Sequence, residues 1–136
     1  MFSTTAAYQA TAHMDLSTLP RVKSSLAKKT DTFVPGRSWW AVDLSQNPDL
    51  LPNYVTAHEM GHVMQGEALR QFGQTLSQAT WNKFYGPVAN SHRVSQYGQT
   101  NYNEHFAESF AKWMLTNEAH PDFLKFLKDT GLLKSE

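Results

Sequence analysis

Residues 55–69 read VTAHEMGHVMQGEAL, and within them His58 and His62 lie four residues apart with Glu59 directly after the first histidine. On an α-helix, positions four apart share one face. Both imidazoles can therefore reach a single zinc ion at about 2 Å. Glu59 projects beside such an ion, where a carboxylate can act as a general base towards water. So short a motif also arises by chance in amphipathic helices, and a zinc site needs a further ligand.

A catalytic zinc site requires three protein ligands and one open position. One known continuation places glycine three residues after His62 and histidine three residues later, but Gln65 and Ala68 occupy these positions. The segment NEHFAES instead offers Glu104 and Glu108, which lie one helical turn apart. One of them can bind zinc while the other accepts a hydrogen bond from a ligating histidine. The alternative is a solvated glutamate pair, but carboxylates on an otherwise apolar stripe are costly to bury without a cation.

The order of these two blocks is the order of the gluzincin zinc peptidases, in which an HExxH motif precedes a glutamate on a second helix. Residues 97–114, YGQTNYNEHFAESFAKWM, resemble in particular the C-terminal catalytic domain of anthrax lethal factor and its relatives. The shared features are a tyrosine–glycine pair, a threonine–asparagine pair and a glutamate–x–phenylalanine–alanine–glutamate run with a phenylalanine after it. The resemblance covers roughly residues 33–117 and is strongest in residues 58–66 and 97–114.

Residue by residue, the resemblance implies that His58, His62 and Glu104 bind one Zn²⁺ ion. Glu59 then becomes the general base. Glu108 takes the place of a carboxylate that supports a ligating histidine from behind. The long N-terminal modules of the toxin are absent from the printed sequence, so the targets of the toxin do not carry over.

The resemblance also makes Tyr97 the hydroxyl donor to the oxyanion, and it implies a minimal gluzincin-like fold of the α+β class that is mainly α. This fold comprises an active-site helix, a glutamate helix and a small β-sheet whose edge strand binds substrate. The stretch SWWAVDLS, residues 38–45, is the predicted edge strand because it is aromatic, alternating and preceded by turn residues. Trp40, Ala41 and Val42 are therefore predicted to contact the substrate.

Hydrophobic periodicity predicts the elements that position these residues. The two strongest helices are expected at residues 52–70 and 103–116. Another helix is expected from residue 76 to the Gly86–Pro87 pair, and a last one from Pro121 to Leu127. Residues 88–101 are expected to form a loop. One face of the first strong helix carries mostly small side chains, which would let another element approach closely; these residues are Ala57, Gly61, Met64 and Ala68.

The length of 136 residues fits one domain with a sizeable core. Residues 1–30 are predicted to be an N-terminal segment that is partly disordered, or helical where apolar residues recur between positions 16 and 26. Residues 31–136 are predicted to form the gluzincin-like domain. His92 and His120 are interpreted as a surface-loop residue and a helix-start residue, although His92 precedes Tyr97 closely enough to contact substrate.

The composition limits the partners and the metal chemistry. Lysine plus arginine and aspartate plus glutamate number 12 each, so the net charge is zero and no nucleic-acid surface is predicted. Without cysteine, a metal must be held by nitrogen and oxygen atoms. The first residues lack a signal-peptide pattern, and no segment approaches the roughly 18 apolar residues of a membrane span. Localisation and oligomeric state stay open.

Together these features favour a zinc-dependent endopeptidase that acts on peptide or protein substrates. The alternative is a catalytically weak or inactive zinc-binding module with a structural or interaction role in a larger phage- or toxin-like protein. Glu59 argues against that alternative, because a structural zinc site needs no general base. Hydrolysis of a non-peptide amide is compatible with the same motif.

Overall fold

A computed structural model of the chain describes residues 33–44 and 47–133. The predicted N-terminal segment, residues 1–30, lies outside this part of the chain. The α-helices of the described residues are α1 (Leu51–Gln71), α2 (Gln78–Ala89), α3 (Tyr102–Thr116) and α4 (Pro121–Asp129), and short 3₁₀ helices span Pro48–Leu50 and Tyr97–Gln99. No helix among these is both long and apolar enough to cross a membrane.

Side-chain caps determine where α2 and α3 begin. Ser77 precedes α2, and its hydroxyl accepts a hydrogen bond from the Thr80 N–H at 3.2 Å. Asn101 precedes α3 and accepts one from the Glu104 N–H at 2.8 Å. Each cap satisfies a backbone donor that the first helical turn leaves without a partner. The Asn101 cap therefore places Glu104 in the first turn of α3, near the positive end of the helix dipole.

Helices α1 and α3 form the most extensive contact of the fold, and a glycine allows it. A Cβ atom built on Gly61 would lie 2.8 Å from the Ala107 Cα and 3.2 Å from the Phe110 Cβ. Only a residue without a side chain permits this separation of the two backbones. The prediction that the small-residue face of this helix admits a close neighbour is confirmed.

Two apolar clusters lie on either side of this contact. The larger cluster is rich in aromatic side chains and joins all four helices. Its largest fully buried members are Met64, Leu69, Trp81, Tyr85, Phe106, Phe110, Phe123 and Leu127. The smaller cluster joins the segment before α1 to α1 and α3, and contains Val42, Leu44, Leu51, Tyr54, Ala57 and Ala111. Burial of these side chains on both flanks holds α1 and α3 in register.

The predicted α+β class is wrong for the described residues, which are helical and contain no β-strand. Residues 38–44, the predicted edge strand, form bends and a turn. Their backbone contact with the chain before α3 includes two hydrogen bonds, from the Gln96 N–H to Ser38 O at 2.8 Å and from the Tyr97 N–H to Trp39 O at 3.1 Å. These two bonds do not extend into a ladder.

The predicted end of α2 at Gly86–Pro87 is also wrong, since the helix continues to Ala89. Proline has no backbone N–H, so it removes one hydrogen bond of the helix. Because Pro87 lies close to the end of the helix, its disruption affects only the last turn. Gly86 serves packing instead: a Cβ atom there would lie 3.1 Å from the Tyr102 ring. The glycine therefore admits an aromatic ring from the start of α3.

Candidate metal centre

Three side chains from α1 and α3 converge on one point. The distances are 2.8 Å from His58 Nε2 to Glu104 Oε2, 3.2 Å from His62 Nε2 to Glu104 Oε1, and 3.2 Å between the two Nε2 atoms. Tetrahedral zinc with ligands at about 2.0–2.1 Å holds its ligand atoms about 3.3 Å apart. Two imidazoles and one carboxylate with these spacings fit zinc closely. Among the described residues they are the group that can hold a metal ion.

The outer nitrogen of each imidazole also has a partner. His58 Nδ1 lies 2.9 Å from Glu108 Oε2, and His62 Nδ1 lies 2.9 Å from Gln65 Oε1. Both acceptors are oxygen atoms, so each Nδ1 carries the proton and donates it. Each Nε2 then presents its lone pair on the side of the ring where the three side chains converge. This arrangement of a ligating histidine and an oxygen behind it is the usual support of metal-bound imidazoles.

Glu108 is fully buried, and its carboxylate is surrounded by donors. Oε2 accepts hydrogen bonds from the Tyr54 hydroxyl and from His58, while Oε1 accepts one from Ser95 Oγ at 2.8 Å. Burial and the neighbouring Glu108 raise the pKa of Tyr54 well above its ordinary value, so its hydroxyl stays a donor. A buried carboxylate with several donors ties α1, α3 and the loop before Tyr97 to the metal centre.

The electrostatics of the centre favour positive charge between the imidazoles and the carboxylates. Burial opposes a charged imidazole, but hydrogen bonds with Glu104 and Glu108 prevail and raise the pKa of His58 from 6.5 to about 9. The pKa of His62 is raised for the same reasons, with Glu104 and Gln65 as partners. Burial opposes ionisation of Glu104, yet hydrogen bonds from both histidines lower its pKa well below 4.5. A proton or a divalent cation can supply the positive charge.

Tyr97 and Glu59 flank this centre. The Tyr97 ring lies parallel to the His58 ring, with centroids 5.5 Å apart, and its other face stacks on Trp39 at 5.2 Å. Burial and the charges of nearby carboxylates, including Glu104 and Glu59, raise the pKa of Tyr97 above its ordinary value of 10. The hydroxyl is therefore protonated at neutral pH and can donate a hydrogen bond. Glu59 is half-buried and directly follows His58 in α1.

The residues predicted to contact substrate lie beside Tyr97 without forming a strand. The half-buried Trp40 meets the Tyr97 ring edge-on at 5.7 Å. Ala41 and Val42 are both buried, and the Ala41 N–H donates to the Tyr54 hydroxyl at 3.2 Å. This N–H already has an acceptor, whereas an edge strand offers its backbone groups to substrate. Contact of these three residues with substrate stays a prediction, now without the strand on which it depended.

The sequence patterns did not predict three residues of the site, which are Tyr54, Gln65 and Ser95. Gln65 and Tyr54 have a detectable signal, because they lie three residues after His62 and four residues before His58 on the same helix. Ser95 has no such signal, since it lies in an irregular segment far along the chain from the residues that it supports. Its position follows only from the tertiary fold.

Comparisons of the chain with protein-family models, with curated proteins and with solved structures find no match. The gluzincin resemblance therefore stays a prediction that depends on the two sequence motifs.

Proposed function

We propose that the protein is a zinc-dependent endopeptidase in which His58, His62 and Glu104 bind one Zn²⁺ ion. The observation that carries this proposal is the placement of Tyr97 and Glu59 around a three-ligand centre. A structural zinc ion normally takes four protein ligands, whereas a catalytic one takes three and keeps a position open. When bound, zinc supplies Lewis-acid chemistry, because it polarises a carbonyl group and lowers the pKa of a water molecule to about 7.

Two side chains of the protein carry the proton transfers and the charge stabilisation. Glu59 accepts a proton from the attacking water and passes it to the leaving nitrogen of the peptide bond. The Tyr97 hydroxyl donates a hydrogen bond to the carbonyl oxygen as negative charge develops there. Glu108 and Gln65 keep the two imidazoles in the required tautomer and orientation. The roles of Glu59 and Tyr97 are ones that a zinc module without activity does not require.

Digestion of a mixed peptide library tests the proposal. Wild-type protein should cleave peptides, a chelator should abolish cleavage, and added zinc should restore it. Glu59→Gln should bind zinc normally and cleave at least about 100-fold more slowly, since it loses the general base. Glu67→Gln is the matched control, because it makes the same change on the same helix, where Glu67 pairs with Arg70 at 3.3 Å. Wild-type turnover in the Glu59 variant, or cleavage that survives chelation, would contradict the proposal.

A further inference from the structure

A second polar cluster lies on a different face of α3 from the metal ligands. His105, Ser109 and Lys112 follow one another along this face at helical spacing. The His92 ring stacks on the His120 ring with centroids 3.9 Å apart and an interplanar angle of 5°. A cavity of about 310 Å³ opens here, lined chiefly by His92, Arg93, Ser109, Lys112, Glu118 and His120.

The charged groups of this cavity give it a positive character. Arg93 and Lys112 outnumber the single acidic residue of the lining, Glu118. The Arg93 Nε donates to the Gly36 carbonyl oxygen at 3.0 Å, which uses one of the five N–H groups of a guanidinium. The remaining four N–H groups make a fork that suits an oxyanion.

The pKa of His92 also reflects the surroundings of this cavity. Burial is the first cause that lowers its pKa, to about 4, and the neighbouring His105 and His120 together with Lys112 lower it further against the opposing charge of Asp122. Additional positive charge is therefore unfavourable here until an anion is present. His120 contributes a donor, because its Nδ1 accepts from the Asp122 N–H at 3.1 Å and its proton must be on Nε2.

A buried hydroxyl that lines the cavity points to a ligand. Ser109 is 2% exposed, and its Oγ makes no hydrogen bond of normal length and angle with any described residue. Burial raises the pKa of the neighbouring Tyr85 hydroxyl and Ser109 opposes that rise, while the Tyr85 hydroxyl itself bonds to His105 Nδ1 at 2.7 Å. A buried polar group without a partner costs about 1–3 kcal/mol. An acceptor oxygen in the cavity would remove that cost.

We propose that this cavity binds an oxyanion of the phosphate class through Arg93, Lys112 and the Ser109 hydroxyl. Arginine provides a planar fork for phosphate oxygens, and lysine provides a compact charge. The volume exceeds that of one phosphate group, so the cavity accommodates either the free anion or a phosphate ester. The site is independent of the proposed zinc chemistry, because it shares none of the metal ligands.

The test is a titration of the zinc-loaded 136-residue chain with inorganic phosphate at constant ionic strength. The ring NMR signals of the histidines are the readout. We expect saturable shifts of His92 and His120 with a Kd of about 1 mM or tighter, while His58 and His62 stay unchanged. A response of His58 and His62 alone would mean that phosphate binds at the metal, and it would overturn the proposal.

Substitutions in the cavity test whether its own side chains bind the phosphate. Lys112→Gln should weaken phosphate binding at least about tenfold because it removes a charge from the lining. Lys128→Gln removes the same charge from an exposed position on α4 and should change binding by less than about twofold. Ser109→Ala keeps the charge and should weaken binding severalfold, so it decides the question if the Lys112 variant does not fold. Equal binding by wild type and both cavity variants would refute the site.

A parallel titration with O-phosphoserine distinguishes the two sources of the anion. Tighter binding of inorganic phosphate indicates a site for the free ion, and tighter binding of phosphoserine indicates a site for a phosphate ester. Either result supports the proposal. Failure of both compounds to shift the His92 and His120 signals overturns it.

Discussion

Each histidine of the metal centre has a hydrogen-bonding partner behind its ring. Glu108 holds His58 from α3, and Gln65 holds His62 from the same helix. The two partners differ in charge, since one is a buried carboxylate and the other an amide. The imidazole with the carboxylate behind it is therefore the more basic and the stronger electron donor to a metal. At the residue scale, the proposed ligands are oriented by side chains that would not themselves contact a bound ion.

Tyr97→Phe separates peptidase chemistry from simple zinc binding. Phenylalanine keeps the ring stacked between Trp39 and His58 and removes only the hydroxyl. We expect kcat to fall about 100-fold with KM and zinc content nearly unchanged, because the lost hydrogen bond belongs to the transition state. Steady-state kinetics on a cleaved peptide give both constants. The control is Tyr102→Phe, which removes a hydroxyl that accepts a hydrogen bond from Asn90 Nδ2 at 2.9 Å. Turnover of the Tyr97 variant within twofold of this control would disprove the oxyanion role.

Glu108→Gln and Glu104→Ala should affect zinc to different degrees. An amide at position 108 offers one acceptor oxygen where the carboxylate satisfies three donors, so at least one donor loses its partner. Zinc affinity should fall about 10- to 100-fold, as for other losses behind a metal ligand. Glu104→Ala removes a ligand and should lower the affinity further. Competition with a chromophoric chelator measures both, and the reverse order of the two effects would mean that the roles of Glu104 and Glu108 are exchanged.

At the scale of elements, the metal centre depends on the separation of α1 and α3. His58 and His62 belong to α1 and Glu104 to α3. The distance between the two helices therefore determines the distance between the imidazole nitrogens and the Glu104 carboxylate. Gly61 sets that spacing, because its hydrogen faces the Ala107 backbone where a methyl group would lie 2.8 Å away. A shift of the helices by a fraction of an ångström would therefore change the distances between the proposed zinc ligands.

Gly61→Ala should push α1 and α3 apart. The added methyl group meets backbone atoms that cannot rotate away, and overpacking of this kind costs about 1–3 kcal/mol of folding free energy. Zinc affinity should fall at least about tenfold in the same variant. Gly66→Ala is the matched control on the same helix, since its nearest contact would be 3.9 Å away. There alanine should stabilise the helix by about 0.5–1 kcal/mol. Thermal unfolding compares the variants, and equal effects of the two substitutions would exclude the spacing role.

The sequence predicts the helices of this fold better than the segment before them. Long apolar periodicity predicts α1 and α3 within one or two residues, and the spacing of His58 and His62 predicts their shared face. The strand prediction fails because Ala41 and Val42 are both buried, which an alternating edge strand does not allow. Glu104 and Glu108 share a face, so periodicity alone does not assign their roles. The distinction comes from the tertiary fold, which brings Glu104 to both histidines and Glu108 to only one.

At the scale of the whole molecule, a bound metal would couple to stability. The ligands join the two helices that carry both apolar clusters, so an ion bound to the folded state alone stabilises the entire domain. Protons compete for the same lone pairs. The pH dependence of stability should therefore differ between the metal-free and the zinc-loaded protein.

The metal-free protein should be most stable between about pH 4.5 and 6.5. The pKa of His58 is raised from 6.5 to about 9 in the folded state, so its contribution is complete below pH 6.5 and disappears as the pH rises to about 9. The pKa of Glu104 is lowered from 4.5, so its contribution disappears as the pH falls below that value. The loss at the alkaline side approaches about 3 kcal/mol, since each tenfold change in proton affinity is worth about 1.4 kcal/mol.

In the zinc-loaded protein, stability should rise between pH 6.5 and 9, the opposite of the metal-free trend. Deprotonation frees the imidazole nitrogens to bind the metal. Thermal unfolding with chelator and with excess zinc across this range measures both trends. A metal-free protein whose stability does not change from pH 6.5 to 9 would contradict the proton-bridged arrangement of His58 and Glu104.

The location of the metal is the most direct test of the zinc centre. Crystals of the protein grown with zinc can be measured on both sides of the zinc absorption edge. We predict one anomalous peak that appears above the edge, at about 2.0–2.2 Å from His58 Nε2, His62 Nε2 and a Glu104 carboxylate oxygen. Absence of a zinc peak between these three side chains, at full zinc loading and with both histidines ordered, would contradict the central assignment of this site.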